Sequence, residues 1–229
     1  MNKKLKKWLV SIGLTLVIIL SLMMIFNRQI KTWMVAQYNP EVNEKVVATN
    51  KKKKGSFDYS KVKSLDWQTV LKARASENRI KVIGEIVYPK LDIHLPIGKG
   101  VDNLTLALAA GTLKPNQTMG AGNYALAGHH MVDKKVLFSP LYWKARDGQK
   151  VYLTDETNIY EYQVYERKFI KATDVQVVND IKGKKILTLV TCDDTGSGRL
   201  MIRGKYMQKW SHGKAPEAVQ KEFTEKFNR

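Results

Sequence analysis

The chain holds a single cysteine, Cys192, in the stretch "TLVTCDDTGSGR". A free cysteine is most often a small buried hydrophobe, so its neighbours decide whether it does more. In "KKILTLVTC", Thr188, Val190 and Cys192 share one face of a strand, and Leu187, Leu189 and Thr191 share the other. The six residues that follow Cys192 are turn-formers, which sets the thiol at a strand end and not in mid-sheet. A thiol nucleophile needs a group that moves protons and donors aimed at the oxyanion of a tetrahedral intermediate. Arg199 opens the next strand, "RLMIRGKY", and if the two strands pair across the loop its guanidinium returns beside Cys192. There it could lower the thiol pKa, hold a carbonyl or offset an oxyanion. Arg203 shares that face but lies two positions deeper, so Arg199 is the better placed cation.

Four histidines are candidates for the proton carrier. His94 falls inside a strand and His212 follows the last one, and both read as satisfied core or surface residues. His129 and His130 end the apolar stretch "YALAGHHM", again where a rim site would form. Adjacent strand residues point to opposite faces, so one of the two is expected to face the thiol. Asp193 and Asp194 sit in a Gly/Ser loop and read as turn-formers outside the catalytic set. A lone cysteine excludes an intramolecular disulfide and any zinc site built on several thiolates. No metal and no cofactor are expected.

The elements that must position these residues are mostly strands. Residues 80–88 and 91–97 show partial period-two alternation on either side of Pro89-Lys90, and 124–127, 150–154, 159–170, 185–191 and 199–207 read the same way. Many short strands separated by turn signals predict a closed or nearly closed β-barrel with a few helices. Residues 101–110 lack β-branched density and read as a short helix. Val62, Leu65, Val70 and Leu71 recur at helical spacing, so a short amphipathic helix should begin the folded part near Asp58. The C-terminal "APEAVQKEFTEKFNR" reads as a short surface helix or a frayed end.

Ahead of this domain lies "WLVSIGLTLVIILSLMMIF", nineteen residues without a charge. As a helix it spans roughly 28 Å, close to the thickness of a bilayer core. Lys3, Lys4, Lys6 and Lys7 precede it, which places the N-terminus in the cytoplasm and everything after the span outside. The expected organisation is a cytoplasmic tail at 1–7, a single membrane anchor at 8–26, a polar tether at 27–57, a catalytic domain at 58–212 and a tail at 213–229. The formal charge of +18 would favour nucleic acid, anionic lipid or acidic wall polymer. No finger, aromatic RNA-binding signature or basic recognition helix is present, so nucleic acid is not an expected partner.

These pieces together resemble the class A sortases. "TLVTC" ending in Cys192, "LAGHH" containing His129, and Arg199 opening the strand after the cysteine loop carry the likeness, which runs from about residue 80 to 207 and includes "LFSPLYW" and "KVYLTD". The resemblance implies a mainly β fold, an eight-stranded sortase-type barrel with a few short helices behind one N-terminal transmembrane helix, on the outer face of a Gram-positive membrane. It implies a cysteine transpeptidase that cuts a Leu-Pro-x-Thr-Gly sorting signal on surface proteins between Thr and Gly. The acyl group is held as a thioester on the enzyme and passed to an amine of a peptidoglycan precursor, lipid II. By position, Cys192 would be the nucleophile, His129 the general acid/base, and Arg199 the group that positions substrate and stabilises the oxyanion. Thr191 and Ala127 match groove-lining positions. Residues 172–184 match the family's mobile recognition segment, within which Val175, Val177 and Val178 would meet the apolar part of the signal. The loop at 112–123 lacks the acids with which some members bind calcium.

Two other readings remain for such a chain. A cell-wall cysteine peptidase that hydrolyses peptidoglycan stem peptides would use water as acceptor, and its cysteine commonly begins a helix, unlike Cys192. A non-enzymatic, wall-binding barrel would keep its function without the thiol.

Overall fold

A computed structural model of the chain describes residues 3–62, 65–131, 133–192 and 197–228. Eight strands follow one another as β1 (Val82–Tyr88), β2 (Ile93–Gly98), β3 (Ala110–Thr112), β4 (Asn123–Ala127), β5 (Lys150–Thr154), β6 (Asn158–Lys171), β7 (Ile186–Cys192) and β8 (Gly198–Ser211). They close into a barrel in the order β1-β2-β3-β4-β7-β8-β6-β5, with β5 returning to β1. Most pairs are antiparallel. The pairs β2 with β3 and β4 with β7 are parallel, and the second of these decides the site. Seven helices complete the described fold: α1 (Lys3–Ile25), α2 (Asn27–Ala36), α3 (Glu44–Lys51), α4 (Trp67–Ala75), α5 (Asn103–Leu108), α6 (Ser139–Lys144) and α7 (Glu217–Glu222).

Alternation along β7 and β8 separates two faces. Leu187, Leu189, Leu200 and Ile202 point into the main core, beside Ile86, Leu95, Leu126 and Phe138. On the outer face, Val190 and Ala127 pack with Val101, Leu106, Leu113 and Ala125 into a second, smaller cluster. That cluster is the apolar floor on which the site is built.

The barrel and its seven longer strands match the sequence reading. β3 was not expected as a strand: its Ala-Gly-Thr is too short to alternate, and it follows α5 directly, so 101–110 reads as a helix throughout. The larger difference lies at 27–57, expected to be a polar tether. α2 and α3 form there, and they pack on the barrel through Val35, Tyr38 and Val47, all buried. Asn50 of α3 donates from Nδ2 to the Val82 carbonyl of β1 at 2.9 Å, and Val101 donates to the Ser56 carbonyl at 2.7 Å. The folded body therefore begins well before residue 58. α1, by contrast, has no buried residue and is apolar and long enough to cross a membrane.

The C-terminal tail folds back as well. Ala215, Val219 and Phe227 are buried, and the Phe227 ring lies 4.3 Å from that of His94. His94 is a buried core histidine: its Nε2 meets Glu85 Oε2 at 2.8 Å, and its Nδ1 is buried without a hydrogen-bond partner among the described residues.

Candidate active site

Three neighbouring strands bring the chemistry together. In the parallel pair, Ala127 of β4 stands level with Val190 of β7, and the Gly128 amide donates to the Val190 carbonyl at 3.1 Å. His129 lies two residues beyond Ala127, in the loop after β4, and Cys192 lies two beyond Val190 at the end of β7, so both follow the paired end of adjacent strands. Adjacent strands run about 4.8 Å apart, within reach of two side chains that share a face. On the other side of Cys192, β8 runs antiparallel and Arg199 is its direct cross-strand partner. The order across the sheet is His129, Cys192, Arg199, with the thiol in the centre.

All three line one cavity of about 190 Å³. Its walls include Thr191, Ala127 and Val177, so the six residues singled out in the sequence converge on one place. Thr191 is buried, and its hydroxyl donates to the Gly128 carbonyl at 2.8 Å, which ties the end of β7 to the start of the histidine loop. Burial of the His129 ring pushes its pKa down to about 4, because the charged imidazolium would lose its hydration there. His129 is therefore neutral at pH 7 and able to accept a proton.

The two adjacent histidines, both in the loop beyond β4, part company. His130 does not line the cavity; its ring meets Tyr142 of α6 edge-on at 5.3 Å. Arg203 also stays out of the cavity. It reaches Glu166 at 3.3 Å and the Val177 carbonyl at 3.2 Å, so it secures the 3-10 turn Val175–Val178 that forms one wall. Asp193 and Asp194 lie outside the described residues.

Several residues that line or brace the cavity were not identified from sequence. Asn123, at the start of β4, donates from Nδ2 to the carbonyls of Val177 and Asn179 at 3.0 and 3.1 Å and accepts from Thr188 Oγ1 at 2.7 Å. It joins the Val175–Val178 turn to the strand that carries Cys192. Its only sequence signal is a polar residue opening an apolar strand. Tyr59 and Val62, from the segment that crosses in front of the barrel, close the opposite wall, and the Tyr59 hydroxyl donates to the Leu113 carbonyl.

The arrangement has a thiol flanked by a neutral base and a fixed cation, at the end of an apolar groove. Those are the parts that acyl transfer from a peptide through a thioester requires. Comparison with known proteins points the same way. A model of the sortase domain family matches residues 86–207. Sortase A of Streptococcus agalactiae is 38% identical over 97% of this chain and 93% of its own, and Sortase A of Listeria monocytogenes is 38% identical over 78% of this chain and 82% of its own. The crystal structure of the Listeria sortase A superposes with a TM-score of 0.59, covering 63% of this chain and 99% of that one. With a family match over more than half its length and a relative this similar along nearly all of it, the chain belongs to the sortases, cysteine transpeptidases built on this barrel.

Proposed function

We propose that the protein cleaves a Leu-Pro-x-Thr-Gly signal on surface proteins between Thr and Gly and transfers the new Thr carboxyl to an amine of a peptidoglycan precursor. The single observation that carries this reading is the convergence of His129, Cys192 and Arg199 on one largely apolar cavity, with Arg199 the cross-strand partner of Cys192 and His129 two residues past the end of β4.

Cys192 Sγ attacks the Thr carbonyl carbon, and its proton passes to the neutral His129 imidazole. The Arg199 guanidinium donates to the oxyanion that forms. Collapse of the tetrahedral intermediate breaks the Thr–Gly bond, and the leaving Gly amine takes the proton from His129, leaving a thioester on Cys192. An acceptor amine then attacks the thioester, gives a proton to His129, and expels the thiolate, which recovers that proton. Thr191, Ala127 and Val177 line the groove that takes the signal, with the Val177 wall against its apolar residues. A thioester conserves the energy of the broken amide for the second amine, provided that water is the poorer competitor. α1 holds the enzyme in the membrane as a single span, with the lysine-rich N-terminus in the cytoplasm and the barrel outside, where both substrates are found.

The test uses the full chain in detergent micelles, incubated with a Leu-Pro-x-Thr-Gly peptide with and without an amine, and followed by intact mass. The expected result is an acyl adduct that is absent from Cys192→Ala and discharged by the amine. A folded protein whose Cys192 reacts with a thiol reagent but forms no adduct would overturn the substrate assignment in favour of a stem peptidase or a wall-binding module. Orientation has its own check: a membrane-impermeant maleimide should label Cys192, the chain's one thiol, on intact cells.

A further inference from the structure

The loop that leaves His129 returns to it. The Phe138 amide donates to the His129 carbonyl at 3.2 Å. Its ring lies so close over Gly128 that a Cβ there would fall 2.6 Å from the ring carbons. Within the same turn the Met131 amide donates to Ser139 Oγ at 2.8 Å. The backbone on either side of the imidazole is thus held by the Phe138 end of its own loop. One residue earlier stands Leu137, buried and at φ +53°, a left-handed conformation that a leucine adopts only when its surroundings impose it.

What imposes it comes from the far end of the chain. Asn228 Oδ1 accepts the Leu137 amide at 3.3 Å, and the Asn228 amide donates to the His94 carbonyl of β2 at 2.9 Å. Phe227 beside it is pressed on the His94 ring, which Glu85 holds in turn. Asn228 is itself left-handed at φ +52°, the conformation that asparagine tolerates better than other side chains. A barrel strand, the C-terminal tail, Leu137, Phe138 and His129 therefore form one connected series of contacts.

We infer that Asn228 is a positioning residue for the transfer reaction: its side-chain carbonyl holds Leu137 in its strained turn, and through the Phe138 amide it fixes the His129 backbone and so turns the imidazole toward Cys192. The inference rests on the proposed role of His129 as proton carrier. Asn228 lines no part of the groove, so its effect falls on proton transfer and not on signal binding.

Two variants separate the side-chain carbonyl from the backbone shape. Asn228→Gly keeps the left-handed residue unstrained and removes the acceptor; Asn228→Asp keeps an acceptor. In the full chain in micelles, Asn228→Gly should lower kcat about tenfold, the order expected when a buried amide loses its partner. KM for the signal peptide should stay within about twofold. Asn228→Asp should restore most of kcat. The His129 Cε1–H resonance should shift in Asn228→Gly and return toward its original position in Asn228→Asp. A folded Asn228→Gly with unchanged kcat and an unshifted resonance would overturn the inference, as would an Asn228→Asp no better than the glycine variant. If the wild-type chain formed no acyl adduct, the proposed activity would be at fault, and the His129 resonance alone would still decide whether Asn228 positions the ring.

Discussion

Replacement of Tyr38 tests whether the segment after α1 is part of the folded body. Tyr38 is 2% exposed, and its ring packs in the main core with Val35, Val70 and Ile80. Its hydroxyl is buried without a hydrogen-bond partner among the described residues, and burial holds its phenol above the usual tyrosine pKa. Tyr38→Ala should cost about 3–5 kcal/mol, the range for truncating a buried aromatic ring. At 2–4 °C per kcal/mol for a chain of this size, the melting temperature should fall by roughly 10 °C. Tyr38→Phe removes only the unpaired hydroxyl and should raise stability by about 1 kcal/mol. Trp33→Ala on the neighbouring turn, 64% exposed, is the control and should change little. Thermal unfolding of the full chain in detergent, followed by near-ultraviolet circular dichroism, measures all three. A Tyr38→Ala chain that melts within a degree or two of the wild type would refute the packing of α2 and its following turn on the barrel.

Arg199→Lys keeps the charge and loses the planar fork, and should lower kcat/KM about 100-fold in the peptide cleavage assay with little change in melting temperature. Gly128→Ala forces a Cβ into the Phe138 ring; it should destabilise by about 1–3 kcal/mol and lower kcat further than its stability loss explains, measured by melting and by steady-state turnover. His129 has a folded pKa of about 4, below the ordinary 6.5, so the unfolded chain takes up its proton first as pH falls. Its contribution to stability is complete above about pH 6.5 and is lost toward pH 4, at most about 3 kcal/mol. His129→Gln should therefore be less acid-sensitive than the wild type across that window in urea titrations.

The strands that carry chemistry were legible because each turns on a local pattern. β4 and β7 alternate and then stop at a Gly or turn-forming run, which put His129 and Cys192 at rims before any pairing was known. That they are neighbours depends on a parallel register between residues 63 positions apart, Ala127 with Val190, which no local pattern encodes. The choice between His129 and His130 needed the same register. α3 did leave a trace: Asn43 precedes "EKVVATNK" and caps it by accepting the Val46 amide at 2.9 Å, an N-terminal helix signal inside a stretch that composition makes look like a tether. Nothing local marks Asn228, because its partners, Leu137 and His94, are brought to it by barrel closure.

The parallel pairing of β4 with β7 also bears on when the enzyme becomes able to react. Between those strands the chain must complete α6, β5 and the whole of β6, so the contact that sets thiol beside imidazole is among the costliest in loop entropy and belongs late in folding. A chain whose barrel has not yet closed has Cys192 but no imidazole or guanidinium held beside it. Reactivity then arrives with barrel closure, and a chain stalled short of closure carries a thiol with no acyl-transfer machinery around it.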